Sequence, residues 1–227
     1  MKFTSVRLMI WVLFAVACWS MSALVVGQVT NGLWQVTAAA QSQVLQVPAV
    51  AQMSVSIKNT STGFAWVELT RPDGTKLEHR IDPNSSMTLF GKFTGVVVKY
   101  HVPKGSPAAA ANGSWRIVGA PAAGAVLEGS GTWYVDPKVN GTATIYSSDV
   151  KPPPATVVTV KNNGPRTVRL LVKLSNGKFL PRVALASGAT FTIPTGIKNW
   201  PAGMTILEVI VEWAAGGRST GTYTVSR

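Results

Sequence analysis

Val55-Ser56-Ile57-Lys58-Asn59 recurs as Val158-Thr159-Val160-Lys161-Asn162, and this repeat organises the chain beyond its N-terminal region. Further blocks match in the same order when the two copies are aligned on it. They pair Gly32-Leu33-Trp34 with Gly131-Thr132-Trp133, Asp73-Gly74 with Asn176-Gly177, Asn84-Ser85-Ser86 with Ser187-Gly188-Ala189, and Gly113-Ser114-Trp115 with Gly221-Thr222-Tyr223. Several matches in one order predict an internal duplication of a unit about 100 residues long.

Each copy has the pattern of a succession of short strands. Val67 and Leu69, like their counterparts in the second copy, alternate with residues of the opposite face, which is the period of a half-buried strand. Asp73-Gly74 and Asn176-Gly177 predict type I′ hairpin turns, because such turns need positive φ at both central residues. The 21 glycines and 14 prolines favour short strands joined by turns over helices.

The sequence therefore predicts an all-β fold, with two tandem immunoglobulin-like or fibronectin III-like β-sandwiches after an N-terminal apolar export helix. The resemblance is to that broad superfold only, because the antibody-type cysteine pair is missing; a jelly roll or an open barrel would give a similar pattern. We assign residues 1–27 to a signal peptide or membrane anchor, 28–124 to the first copy and 125–227 to the second. The prolines at 152–154 mark an alternative boundary.

The first 27 residues have the pattern of an export signal. Lys2 and Arg7 precede an apolar run that starts at Leu8. Three outcomes remain open, namely cleavage after Ser22 or Gly27, retention of residues 8–27 as a membrane anchor, and lipidation at Cys18. Each of them predicts an extracytoplasmic protein, which is secreted, periplasmic or held at the cell surface.

Composition limits the classes of function. Cys18 is the only cysteine, so the rest of the chain has no disulfide, thiol nucleophile or thiolate metal site. The formal net charge of +12 favours attraction to an anionic polymer or lipid surface. Because the export signal points away from the cytosol, nucleic acid is the least favoured anionic partner. A protein or glycan at the cell envelope is the favoured partner.

One predicted hairpin of the second copy concentrates basic residues. Arg169 and Lys173 share its outward face by strand alternation. The full set is Arg166, Arg169, Lys173, Lys178 and Arg182. These residues are candidates for binding a partner; a solvated strand face, on which cations discourage edge pairing, is the favoured alternative.

The tryptophans divide into two groups. Trp34 and Trp133 occupy equivalent positions of the repeat and are expected in the two cores. Trp66 falls on the outward face with Glu68, and Trp200 lies in a loop without a counterpart in the first copy. Exposed tryptophans suit sugar-ring stacking or a protein contact, so both are candidate partner-binding residues. Packing of each residue onto its own domain is the alternative.

No catalytic or metal-binding pattern stands out, and we expect neither an enzyme nor a cofactor. Ser219 lies in a G-x-S-x-G sequence, but a strand follows it instead of the helix that a nucleophile elbow needs. His79 and His101 have no metal-ligand spacing. Glu208 and Glu212 share one strand face, where a salt bridge to a basic strand is favoured over a glycosidase pair.

Four sequons, at Asn59, Asn84, Asn112 and Asn140, are candidate glycan sites if the source is eukaryotic. Taken together, the sequence predicts a non-catalytic extracytoplasmic binding or structural protein whose tandem modules contact a protein or glycan partner, at the cell surface or in a surface assembly. A pair of carbohydrate-binding modules that use exposed tryptophan is the first alternative. A secreted hydrolase with scattered carboxylates is the second.

Overall fold

The computed structural model describes residues 28–49, 52–100, 110–120, 128–150, 153 and 155–226. The regular structure in these ranges is entirely β, which confirms the predicted all-β class. The first half contains β1 (Gln28–Thr37), β2 (Ser42–Leu45), β3 (Gln52–Asn59), β4 (Ala65–Thr70), β5 (Lys76–Ile81), β6 (Ser86–Gly91), β7 (Gly95–Tyr100) and β8 (Ala110–Ala120). The second half contains β9 (Gly129–Val135), β10 (Thr142–Ser148), β11 (Val157–Asn162), β12 (Val168–Leu174), β13 (Val183–Leu185), β14 (Thr190–Ile193), β15 (Ile206–Trp213) and β16 (Ser219–Ser226).

The two halves repeat one strand order. In the first half the order β1-β8-β3-β6 lies opposite β2-β7-β4-β5, and in the second β9-β16-β11-β14 lies opposite β10-β15-β12-β13. Eight strands in two such sheets form a jelly roll. The immunoglobulin-like and fibronectin III-like order predicted from the sequence is therefore corrected, because the first strand of each half pairs with the last and not with the second. Periodicity gives strands and faces but does not specify which distant strands pair.

The N-terminal export helix and the domain boundary predicted at residue 124 lie outside the described residues. The two cores are nevertheless distinct in composition. One cluster of buried side chains draws on residues 34–117, and the other draws on residues 133–225 together with Phe90 of the first half.

One continuous eight-stranded sheet runs through both halves. It forms because β6 of the first half pairs in parallel with β10 of the second, with Thr88 opposite Tyr146. Met87 and Leu89 of β6 point into the first core, whereas Phe90 points into the second. Since neighbouring residues of a strand face opposite ways, the two four-stranded sheets cover opposite faces of the long sheet.

The edge of β9 stands on the outward face of the first half. Thr132 N–H donates to Ser86 Oγ over 3.2 Å, and Tyr134 N–H donates to Ser85 Oγ over 3.0 Å. Serine hydroxyls thus replace a neighbouring strand and satisfy backbone groups that would otherwise be unpaired. A Cβ at Gly129 would lie 2.7 Å from a hydroxyl oxygen of the face, so glycine permits the close approach.

The predicted core tryptophans are confirmed, since Trp34 and Trp133 are each 1% exposed. Each ring packs against a glycine of the last strand in its half, and the contact leaves no room for a side chain. A Cβ on Gly113 would lie 1.7 Å from the Lys58 carbonyl oxygen, and one on Gly221 would lie 2.0 Å from the equivalent carbonyl of β11. The same three-strand packing therefore recurs at matched positions of the two halves.

Asn59 and Asn162 end equivalent strands, and both are fully buried. In each case Oδ1 accepts a backbone N–H two residues later, over 3.0 Å. The Nδ2 donor bonds two carbonyls, of Gly63 and Ile81 in the first half and of Arg166 and Leu185 in the second. These bonds tie two loops of each half together, which satisfies a buried polar side chain.

The two predicted hairpin turns have a different type. Gly74 and Gly177 each have φ of 82°, but positive φ at these turns is confined to the glycines. The N–H of each glycine donates to the carbonyl three residues earlier. Asp73 and Asn176 accept the N–H two residues later, over 2.9 and 3.0 Å. The prediction of type I′ turns is therefore wrong; each is a type I turn that ends in a left-handed glycine.

Candidate functional site

The basic hairpin predicted in the second half faces acidic residues. Arg169 and Lys173 lie on the outward face of β12, directly opposite Glu212 and Glu208 of β15. Opposite charges at directly paired positions stabilise a sheet. Burial raises the pKa of Glu208, and Lys173 partly counters that effect. The salt-bridge interpretation of this glutamate pair is thus favoured by its surroundings over a glycosidase pair.

The five residues of the basic set do not form one cluster. Arg182 Nε donates to Glu212 Oε2 over 2.8 Å, and Lys173 Nζ lies 5.5 Å from the centre of the Phe179 ring. Lys178 follows the turn glycine, and Arg166 lies in the β11–β12 loop. The structure therefore brings Arg169, Lys173 and Arg182 to one face and leaves Lys178 and Arg166 in loops. Their binding role stays a prediction.

Trp66 and Trp200 are half-buried and belong to different halves of the molecule. Trp200 packs against the second core, and its indole Nε1 donates to Met204 O over 3.0 Å. Trp66 lies between Arg80 and Lys99 of the neighbouring strands. For Trp200 these contacts match the packing alternative. A glycan-stacking role for either residue stays a prediction.

Glu68 was expected to face solvent beside Trp66, but it is 6% exposed. Lys99 and Lys76 reach it from the neighbouring strands and form ion pairs with its carboxylate. Their hydrogen bonds lower the pKa of Glu68. The outward face of this sheet is therefore covered by a charge network that strand alternation alone does not predict.

Ser219, His79 and His101 are the catalytic and metal-ligand candidates of the sequence. Ser219 is fully buried, and its Oγ donates to Asn162 Oδ1 over 3.0 Å, so it belongs to the asparagine network of the second half. Burial lowers the pKa of His79. His101 lies outside the described residues, and within those residues no three His, Cys, Asp or Glu side chains form a group that could hold a metal.

Two of the four sequons are closed to glycans in the folded protein. Asn59 is fully buried and Asn140 is 3% exposed. The Nδ2 atom of Asn140 donates to Tyr134 O over 2.8 Å, so the atom that would carry a glycan is engaged. Asn84 and Asn112 are exposed and remain candidates.

An apolar edge that the sequence analysis did not identify lies at β1 and β2. Among the described strands, both lie at the edge of a sheet and pair on one side only. Leu33 is 80% exposed, Val29 46% and Val44 74%. The Gln43 side chain bridges the two strands, because its amide bonds Leu33 O (3.2 Å) and Gln35 N–H (2.8 Å). A long edge strand with exposed apolar side chains is a surface on which another chain can associate.

A second open surface is the outward face of the sheet β14-β11-β16-β9. Alternation along β16 exposes Thr220, Thr222 and Thr224. Thr159 of β11 and Thr192 of β14 lie directly opposite each other, and their hydroxyl oxygens are 3.1 Å apart. The face is therefore rich in hydroxyl groups, and Lys161 is the charged residue of β11 on it.

Comparison with known proteins gives structural likeness only. No family model matches the chain, and no curated protein matches it. A solved structure from Sulfolobus turreted icosahedral virus is 12% identical, covers 88% of this chain and 92% of its own, and has a TM-score of 0.37. The major capsid protein P2 of bacteriophage PM2 is 12% identical, with coverage of 87% and 97% and a TM-score of 0.28. Oxalate decarboxylase of Bacillus subtilis is 8% identical, with coverage of 86% and 72% and a TM-score of 0.28.

TM-scores this low do not support the transfer of a function to this chain, and one sandwich architecture serves many unrelated functions. No segment of the described ranges forms an apolar helix of membrane-spanning length.

Proposed function

We propose that this chain is a non-catalytic structural protein of an extracytoplasmic surface assembly, built from two jelly-roll domains at residues 28–124 and 125–227. It associates with further copies of itself and contacts protein or glycan partners there. One observation carries the proposal. The contact that joins the two halves has both of its surfaces repeated on the outside of the described part of the molecule, where the Gln43 side chain caps part of the β1 edge.

The β1 edge is the counterpart of the β9 edge, and the outward face of β11 and β14 is the counterpart of the face on which β9 stands. The matched residues support this equivalence. Ser56 and Thr88 form a hydroxyl pair 3.1 Å apart beneath Gly129, and Thr159 and Thr192 form the same pair at the same distance. The β1 edge of one chain can therefore rest on the β11–β14 face of another.

The charge distribution suits association between copies. The protein carries a formal net charge of +12, so two copies repel each other wherever basic surfaces meet. Between Arg7 and Lys58 the sequence contains no Asp, Glu, Lys or Arg. The β1 and β2 strands therefore contribute no charge of their own that would repel a second copy.

In the proposed contact between copies, the β1 edge of one chain rests on the β11–β14 face of the other, and no strands pair between the chains. A loop at residues 194–205 follows β14, and its Gly196 N–H donates to Thr192 O over 2.7 Å. β14 is the counterpart of β6, and this bond occupies part of its free edge. The β14 of one chain therefore cannot pair with the β10 of another in the way that β6 pairs with β10 within the chain. Because an edge meets an unlike face, the association is heterologous and builds a ring or an open array.

The N-terminal segment supports the extracytoplasmic location in this proposal. Lys2 and Arg7 before an apolar run fit cleavage, lipidation at Cys18 or retention as an anchor. Protease added to intact cells is expected to digest the mature part. Protection until the membrane is broken would contradict export.

Sedimentation velocity over a range of concentrations tests the association. Leu33→Lys is expected to weaken self-association about tenfold or more, since it exposes a charge where about 2 kcal/mol of leucine burial is lost. Val139→Lys is the matched control, because Val139 is 45% exposed in the β9–β10 turn, away from the edge. A protein that stays monomeric at every concentration, or equal effects of the two variants, would contradict the proposal.

A further inference from the structure

A groove runs along the corner where β9 stands on the outward face of β3 and β8. It encloses about 290 Å³, which accommodates a molecule of monosaccharide size. Its lining comes from both halves of the chain: Ser56, Ile57, Lys58, Ser86, Ser114, Trp115, Arg116, Ser130, Gly131 and Thr132. Five of these residues carry a hydroxyl group, and two carry a positive charge.

The two cations stand on one face of neighbouring strands. Lys58 lies opposite Ser114, and Arg116 lies opposite Ser56. They are therefore diagonal neighbours, about 7 to 8 Å apart at the backbone, a separation that long side chains can close onto one ligand. Both are exposed, and neither has an ion-pair partner among the described residues.

The acidic residues cannot neutralise this pair from within the groove. All nine lie in the described ranges, and none of them lines it. The four most buried or best paired are Glu68, Asp82, Asp149 and Glu212, which bind Lys99, Arg80, Arg71 and Arg182 elsewhere. The segments outside the described ranges contain no Asp or Glu, so they add no acidic group near the groove.

We propose that this groove binds a small anionic sugar, with its phosphate or carboxylate between Lys58 and Arg116 and its hydroxyls on the serine and threonine side chains. Guanidinium and ammonium groups make charge-assisted hydrogen bonds to such anions. The hydroxyls of Ser114, Ser130 and Thr132 can both donate to and accept from a polyol. The inference is independent of self-association, because the groove lies within one chain.

Titration of the full-length chain with glucose 6-phosphate tests the proposal, with glucuronate, glucose and inorganic phosphate as separate arms. Calorimetry measures the affinity, and amide chemical shifts locate the site. We expect both anionic sugars to bind more tightly than glucose or phosphate, with shifts at Ser114 and Thr132. Binding by phosphate as tight as by the sugar phosphate would overturn the sugar assignment.

The variant Lys58→Gln with Arg116→Gln is expected to weaken binding about tenfold for each cation removed. Lys138→Gln is the matched control, because Lys138 is an exposed cation of the β9–β10 turn that does not line the groove. Equal loss in the control would mean general attraction to a basic protein and would refute the groove. Thermal unfolding of each variant shows that the fold is kept, and the single variants repeat the test if the double variant unfolds.

Discussion

Asp82 is a buried carboxyl group at the junction of the two halves, and it makes the stability of the protein depend on pH. The residue is 5% exposed and lies just after β5. Burial raises the pKa of Asp82 from 3.8 to about 6, although Arg80 and Asn140 lower it in part. Arg80 Nε is 2.9 Å from the carboxylate, but the arginine side chain is 43% exposed, so solvent weakens the ion pair.

The sign of the effect follows from this pKa. Below pH about 4 the carboxyl is protonated in both states, and burial costs nothing extra. Between pH about 4 and about 6 the folded state holds a proton that the unfolded state has lost, so stability falls as pH rises. Above pH 7 the folded protein carries a buried charge. A shift of about 2 pKa units corresponds to about 3 kcal/mol of lost stability.

Asp82→Asn mimics the protonated acid and is expected to raise the free energy of unfolding by about 1 to 3 kcal/mol at pH 8, with little effect at pH 4. Urea unfolding followed by tryptophan fluorescence from pH 4 to 8.5 measures the difference. Asp136→Asn is the control of opposite sign, because hydrogen bonds from Lys138 N–H and the Tyr134 hydroxyl lower the pKa of Asp136. A destabilised Asp82→Asn protein at pH 8 would refute the reasoning, since it would show that the charged form is favoured on folding.

Three further substitutions test the packing. Asn162→Ala removes the Nδ2 donor of Leu185 O and leaves the Ser219 hydroxyl as the side-chain donor to Arg166 O, so we expect a loss of about 2 to 4 kcal/mol in urea unfolding, and a loss below about 1 kcal/mol would contradict the network. Gly113→Ala places a Cβ 1.7 Å from a carbonyl oxygen and is expected to prevent folding, whereas Gly141→Ala meets nothing within 4 Å; equal circular dichroism melts would contradict the packing. Arg71→Gln removes the bidentate pair with Asp149 at 2.6 and 2.7 Å that links the halves, and a fall of about 1 kcal/mol in stability that vanishes in 1 M salt is expected; a fall unchanged by salt would exclude an ionic origin.

The sequence was informative where local pattern decides the structure. Trp34 and Trp133 lie in the cores as predicted, because repeat position and alternation both depend on residues close in the chain. The outward side of Arg169 and Lys173 follows from the same alternation. These features need no knowledge of which distant strands pair.

The pairing order and the surfaces that depend on it were not predictable. Nothing local in Gln28–Thr37 indicates that this strand pairs with β8 and lies at the edge of its sheet among the described strands, so the edge carrying Leu33 could not be found. Glu68 is buried because lysines from two other strands fold over it. The groove at Lys58 exists only because the β9 segment bonds residues that precede it by 46 to 74 positions in the sequence.

Cross-linking between chains tests the central proposal, head-to-tail association, most directly. Thr132 N–H and Ser86 Oγ are 3.2 Å apart at the junction of the halves. On the outside, Leu33 holds the repeat position of Thr132. Thr190 is the counterpart of Ser86, because the registers pair Ser86 with Lys58 and Thr190 with Lys161, one residue beyond the Ala189 of the sequence alignment. Two chains, each with Cys18→Ser, carry either Leu33→Cys or Thr190→Cys. Oxidation of the mixture is expected to give a disulfide-linked pair, since the contact brings these positions within disulfide range, while each chain alone gives none. Cross-linking of either chain with itself, or no linked pair in the mixture, would contradict the proposal.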